Sequence, residues 1–318
     1  MRNRLPLLGL GVVGFLGLNK HHKLSYYLHT LLVTSLVAIG FLIFGKIGFW
    51  NFISSENRTL LFTTARIEFI NSHMMFNLYL NVTLVAIWYL LSNRYKTLST
   101  VQKMGYIVSY ALIFFILLIS EGRSGLLMSL FITGGILFLE IYKRSKIWTL
   151  GLTGLFAIFI IFRLTYHPRI SSEKVSQEPR LFLWENAFSL IKEKPIIGWG
   201  ANDAQHQFTN QIWFDTTGFV QTFWRPSDFV DTHNQFVQSY LEFGIVGFTL
   251  LLAIYLSPYF IADTSRKTFC LLLLIISVFQ SMFDMFITGQ FASIFVLISF
   301  MVLWAKNDVK PTNDLSTP

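Results

Sequence analysis

The sequence predicts an all-α fold: a polytopic transmembrane helical bundle of about eight or nine spans, with one long extramembrane loop that contains an amphipathic helix. Three observations predict it. Of 318 residues, 53% are hydrophobic and 13% charged, against roughly 25% charged in an average soluble domain, which excludes an ordinary soluble enzyme. Apolar stretches of about twenty residues recur along the chain, the length a helix needs to cross a bilayer. Aromatic residues make up 17% of the chain, and four tryptophans stand at the ends of apolar stretches, where indole prefers the membrane interface. The net charge of +8 is therefore a matter of loop topology before it is a sign of nucleic-acid binding, and no nucleic-acid partner is expected.

Taken in order, Leu5 to Leu18 is fourteen residues long and carries Gly9, Gly11, Gly14 and Gly17. It reads as a short first helix, a re-entrant piece or a signal-like segment; with no small-residue cleavage site after it, it is expected to stay in the mature chain. Apolar runs bounded by charge then fall near 28–49, 76–92, 104–120, 124–142, 147–164, 236–260, 268–286 and 290–305. If these alternate, Lys20, Lys23, Arg94, Lys96, Lys103, Lys143, Arg144, Lys146, Arg266, Lys267, Lys306 and Lys310 share one side, which the positive-inside rule makes cytoplasmic. Trp50, Trp88, Trp148 and Trp304 sit at or near span ends in the same frame. The expected organisation is N-terminal membrane helices over 1–164, a large outer loop over 165–235, C-terminal membrane helices over 236–305 and a cytoplasmic tail over 306–318. Cys270, the one cysteine, lies in an apolar run and reads as a small buried hydrophobe.

The outer loop holds Trp184, Trp199, Trp213 and Trp224, and loops of this length are uncommon unless functional. Leu181, Trp184, Phe188 and Ile191 recur at helical spacing between Arg180 and Lys194, and Pro195 stops the run. That predicts an amphipathic helix lying on the outer leaflet.

No Gly-rich phosphate loop, nucleophile elbow, HExxH or paired-cysteine metal pattern occurs, so any enzyme site is built at the outer face from helix ends and the long loop. Three places stand out. Arg123 lies in Ser120-Glu121-Gly122-Arg123-Ser124-Gly125, a tight turn opening a helix, where free N–H groups and a guanidinium suit an anion; the alternative is a topological turn in which Glu121 pairs Arg123. Arg180 stands one helical turn before Trp184, ahead of Pro195 and Gly198-Trp199-Gly200; the alternative is a headgroup contact. His233-Asn234 is followed by Gln238 and Glu242 at four-residue steps, a polar stripe opening a membrane helix, and such residues usually face a cavity. Gly244 and Gly247 read as permitting close helix packing. A largely neutral imidazole at the mouth of the stripe suits a general base. Arg225, Asp228 and Asp231 are candidates for an acceptor groove or solvated loop charges.

These residues resemble the O-antigen ligase and O-antigen polymerase superfamily of bacterial membrane glycosyltransferases. His233-Asn234-x9-Gly244-x-x-Gly247 fits that family's H-N-x9-G-x-x-G signature in full, Arg123 in Gly-Arg-Ser-Gly resembles its first essential arginine, and Arg180 resembles its second. An outer-loop arginine followed by a His-Pro or Asn-Pro pair is echoed by Arg66 and His73, with Met74 where proline is common. Family members usually carry around twelve spans, so the resemblance implies that several N-terminal spans have no counterpart in this chain.

The resemblance implies a metal-independent, inverting glycosyltransferase without cofactor, in the bacterial inner membrane with its active face periplasmic. It would use a polyprenyl-pyrophosphate-linked glycan as donor. By carry-over Arg123 and Arg180 would hold the pyrophosphate and His233 would accept the proton of the attacking hydroxyl; the stripe residues Asn234, Gln238 and Glu242, with Arg66 and Arg225, are the expected substrate-binding residues beside them. Ligase and polymerase differ in acceptor, a lipid A core sugar or another lipid-linked glycan, and a protein hydroxyl is a third choice. From other classes, a transporter for a lipid-linked saccharide and a non-catalytic membrane protein stay open.

Overall fold

The computed structural model describes residues 24–54, 73–120, 123–143, 145–165, 179–213 and 230–283. The expected first segment, the last span near 290–305, Arg66 and Arg225 lie outside these residues. Helix α1 (Leu24–Gly40) runs on into a π-helical stretch (Phe41–Ile47), and α2 (Phe49–Ser54) follows. The long helices are α3 (His73–Arg94), α4 (Thr100–Ile119), α5 (Arg123–Tyr142), α6 (Lys146–Thr165), α9 (Gln235–Ile261) and α10 (Thr264–Phe283), with α7 (Pro179–Glu193) and α8 (Ala201–Trp213) between the last two pairs. No strand occurs among the described residues. Among the described residues, six helical stretches are long and apolar enough to cross a membrane, so this is a helical membrane protein.

Helix α3 is the axis of the bundle. It packs against α1, α4, α5 and α10, and Leu80, Leu84, Val85, Ala86 and Ile87 along it are fully buried. Lipid is as apolar as leucine, so close packing and interhelical hydrogen bonds must hold such helices together. Ser35 of α1 bonds Thr83 of α3 at 2.7 Å, and Tyr110 of α4 bonds Thr133 of α5 at 3.0 Å. At the other end of α3 the Trp88 indole donates to Glu140 of α5 at 3.1 Å. Helix α4 starts with a capping box, Ser99 and Gln102 each satisfying the other's backbone N–H. Its outward face, including Ile107, Val108, Leu112 and Phe115, is exposed, as a lipid-facing helix requires. Cys270 is buried and free, as expected.

Helix α7 forms where its apolar spacing and Pro195 place it, and neighbouring helices decide which part of its apolar face is buried. Leu183, Ala187, Leu190 and Ile191 are buried with Ala204, Phe208 and Ile212 of α8 and Val237 and Leu241 of α9, a second core separate from the bundle. Leu181 and Phe188, expected on the apolar face, are exposed. The physical reason is α8, which covers the neighbouring stripe of α7. Helix α8 has Asp203 in its first turn and apolar residues every fourth position, Ala204, Phe208 and Ile212, enough to dock but too few to read as a span.

The largest departure is in α9. The expected span over 236–260 is broken: Gly244 has φ 61° and ψ −158°, a conformation outside any helix. In a straight helix Phe236 and Tyr255 would stand about 28 Å apart, yet their ring centroids are 6.0 Å apart. Phe236 and Tyr240 both contact Phe248, at 6.2 and 5.9 Å. The nine residues before Gly244 therefore fold back along the helix that follows it. Gly244 is a hinge point in the backbone, not the helix-packing residue its spacing suggested.

Candidate functional site

The break has to find partners for the backbone groups it frees, because an unpaired polar group in an apolar medium costs several kcal/mol. In an unbroken helix the Ile245 N–H would bond the Leu241 carbonyl. Here both turn to the loop between α7 and α8: Ile245 N–H donates to the Pro195 carbonyl at 3.0 Å, and the Leu241 carbonyl accepts from Trp199 N–H at 3.0 Å. Gly200 N–H adds a bond to the Glu242 carbonyl at 2.7 Å. The loop is itself fixed, since the Trp199 indole donates to the Leu190 carbonyl at 2.9 Å and Lys194 lies 3.9 Å above the Trp199 ring. A Cβ on Gly198 (φ +67°) would stand 2.5 Å from the Glu242 carbonyl carbon, and one on Gly244 (φ +61°) 2.2 Å from the Ile196 oxygen. Two motifs that looked separate in the sequence, Gly198-Trp199-Gly200 and the Gly244 end of the His-Asn signature, are two sides of one lock.

His233 lies just upstream of this lock. It has φ 46°, left-handed backbone that a residue with a side chain adopts only when its surroundings hold it. The restraints are visible. The Asn234 side-chain oxygen caps α9 by accepting from Phe236 and Val237 N–H at 3.0 and 3.1 Å. The Thr232 hydroxyl donates to the Asn234 carbonyl at 2.9 Å, and the Trp184 indole donates to the Thr232 carbonyl at 3.0 Å. Thr232 and Asn234 are buried, while the His233 side chain between them keeps 36% of its exposure.

The expected polar stripe is divided by this arrangement. Asn234 spends its side-chain oxygen on the cap. Gln238 donates to Glu242 at 2.8 Å, both buried. Glu242 also lines a cavity of about 550 Å³, together with Gln235 and Ser239 from before the break and Val246, Leu250 and Ile254 from after it. Gln235 and Ser239, which bond each other at 3.1 Å, were not among the expected binding residues; their signal was the same helical spacing, one position round from the stripe. The cavity has one polar wall carrying a carboxylate and one apolar wall.

The helices that begin at Arg123 and beside Arg180 both touch α10. The Arg180 guanidinium stands 5.8 Å from the centre of the Phe283 ring, in the last turn of α10. Phe236, three residues after His233, rests on Tyr255, whose hydroxyl bonds Ser281 at 2.5 Å in that same turn. Arg123 is the first residue of α5, which leans on α10 through Phe131 and Phe279, with ring centroids 6.0 Å apart. Just inside the α5 start, Ser124 is buried and the Gly125 carbonyl accepts from the Asn81 amide at 3.1 Å. The Ser120 hydroxyl donates to Asn77 at 2.8 Å. Asn77 and Asn81, both fully buried, anchor the ends of α4 and α5 on α3, a role that the sequence reading missed because each stands alone within an apolar run. His73 opens α3.

A fold of packed apolar helices, with a broken helix and a strained histidine beside an arginine-bearing helix, defines a membrane protein with a built polar site at one end of its bundle. Residues 108–252 match the family model described as O-antigen ligase. That stretch contains Arg123, Arg180, His233 and Gly244. A Rickettsia felis protein named "Putative polysaccharide ligase" is 27% identical over 166 residues, covering 49% of this chain and 40% of that protein. An "Uncharacterized protein" of Haemophilus influenzae is 32% identical over 90 residues, covering 28% of this chain and 21% of its own length. The chain thus spans less than half the length of either relative.

Proposed function

We propose that the protein is a glycosyltransferase of the O-antigen ligase type, moving a glycan from a polyprenyl-pyrophosphate donor to a hydroxyl acceptor, lipid A core in the first instance, at the periplasmic face of the inner membrane. The observation that carries this reading is convergence: the helices that carry Arg123 and Arg180 and the helix that follows His233 all meet the last two turns of α10, through Phe279, Phe283 and Ser281. A guanidinium fork matches phosphate geometry and stabilises the charge that develops on a departing pyrophosphate. His233 takes the proton of the acceptor hydroxyl as its oxygen bonds the anomeric carbon, and the bond from that carbon to the phosphate oxygen breaks, inverting the centre. Pyrophosphate is a good leaving group, so positioning and electrostatics suffice and no divalent metal is required. The cavity beside Glu242 suits the acceptor, since its carboxylate repels phosphate while its polar wall offers hydrogen bonds to hydroxyls and its apolar wall takes a lipid chain.

The break in α9 favours a second reading, a transporter for lipid-linked saccharide, because transporters build sites at interrupted helices. Reconstitution with a polyprenyl-pyrophosphate glycan and candidate acceptors separates the two. One glycan added to lipid A core is the expected product, unchanged by chelator; a ladder of lengthened lipid-linked chains makes the protein a polymerase. Movement of the donor across the bilayer without a new glycosidic bond makes it a transporter.

A further inference from the structure

We infer that Asp231 is a positioning residue for His233, holding its imidazole with the proton on Nδ1 so that Nε2 is the atom that accepts the substrate proton; this rests on the transferase reading above. One carboxylate oxygen of Asp231 touches His233 twice. It accepts the His233 backbone N–H at 2.8 Å, and it stands 3.3 Å from Nδ1 of the ring. The first contact holds the left-handed backbone at φ 46°, which no hydrogen bond of a regular helix would supply. The second is a charge contact without hydrogen-bond alignment: it sets a carboxylate oxygen beside one ring nitrogen, and of the two neutral tautomers the one protonated at Nδ1 places its N–H, not its lone pair, on the side of that oxygen. The lone pair then lies on Nε2, at the far side of the ring.

The arrangement keeps its balance through the reaction. The acceptor O–H proton passes to Nε2, the oxygen forms its bond to the anomeric carbon, and the electron pair of the broken carbon–oxygen bond leaves on the pyrophosphate. The ring becomes an imidazolium, and the Asp231 carboxylate beside Nδ1 stabilises that charge. Because the same carboxylate fixes the backbone of His233, it sets the direction of the ring as well as its tautomer. Trp184 holds the Thr232 carbonyl and the Asn234 side chain holds the Phe236 and Val237 N–H groups, so neither faces the ring as Asp231 does.

The test uses the full chain in proteoliposomes and the variant Asp231→Asn, whose side-chain oxygen still accepts the backbone N–H and so keeps the turn. Asp231→Asn is expected to lower kcat at least about tenfold, with KM for the polyprenyl-pyrophosphate donor within about twofold of wild type. In wild-type protein labelled with ¹⁵N-histidine, His233, assigned by its loss in His233→Asn, is expected to show the Nδ1–H tautomer at neutral pH. An Nε2–H tautomer in the wild type overturns the inference, as does a wild-type kcat in Asp231→Asn or a loss of activity that only follows a loss of folded protein. If His233→Ala were fully active, the transferase reading would fall. If His233→Ala were inactive and Asp231→Asn normal, the role of Asp231 alone would fall.

Discussion

Gly244→Ala is expected to unlock the fold-back of α9 and abolish transfer. Two effects add. The conformation at φ 61°, ψ −158° belongs to a region that essentially only glycine enters, at a cost of about 1–3 kcal/mol for other residues. The new Cβ would also stand 2.2 Å from the Ile196 oxygen and 2.6 Å from the Ile197 nitrogen, backbone atoms that cannot rotate away. Relief requires the 195–200 loop to part from α9, which leaves the groups at Leu241, Glu242 and Ile245 without their partners. A loss of at least about 3 kcal/mol follows, read as a lowered melting temperature in detergent together with lost activity. Gly198→Ala, whose Cβ would meet the Glu242 backbone at 2.5 Å, should behave alike. Gly200→Ala is the control: φ is +86° but nothing lies within 4 Å of its Cβ, so only the backbone cost of about 1–2 kcal/mol applies. Equal melting temperatures for Gly244→Ala and wild type would show that the lock does not hold the helix.

Arg180→Ala should leave the fold in place and lower kcat/KM for the donor by about 10²–10³, the usual effect of removing one charge-stabilising donor. Arg180 is half-buried on the first turn of α7, and Leu183, Ala187 and Leu190, further along the same side of the helix, keep it anchored without the guanidinium, so the melting temperature should move little. Arg180→Lys tests the chemistry more finely: it keeps the charge and loses the planar fork, and partial recovery is expected. Arg123→Ala is expected to act in the same sense. Full donor turnover in Arg180→Ala would remove the pyrophosphate from this site.

Much of the bundle was legible because its signals are local. Length and hydropathy placed the long helices, Pro195 closed α7, and a tight turn between two apolar runs placed Arg123 at the start of α5. The His-Asn pair likewise marked a helix entry, although Asn234 read as part of the polar stripe and not as the cap that it forms. What escaped depends on distant contacts. Two glycines three apart look the same whether they let helices pack or let a helix turn back, and the partner that decides the matter at Gly244 is the 195–200 loop, nearly fifty residues upstream. The stripe of α7 was misjudged for the same reason, because α8 selects which face is covered and its three apolar residues give too weak a pattern to stand out. The contact between Asp231 and His233 was invisible as well, since only the left-handed turn at His233 brings a residue two positions away onto its ring.

The most direct test of the account is transfer of glycan from a polyprenyl-pyrophosphate donor by purified His233→Ala in proteoliposomes, compared with wild type at matched folded protein. The account predicts a loss of at least about 10²-fold in turnover, the contribution expected of a positioned general base, with the melting temperature and donor binding unchanged. Turnover at the wild-type rate would contradict it.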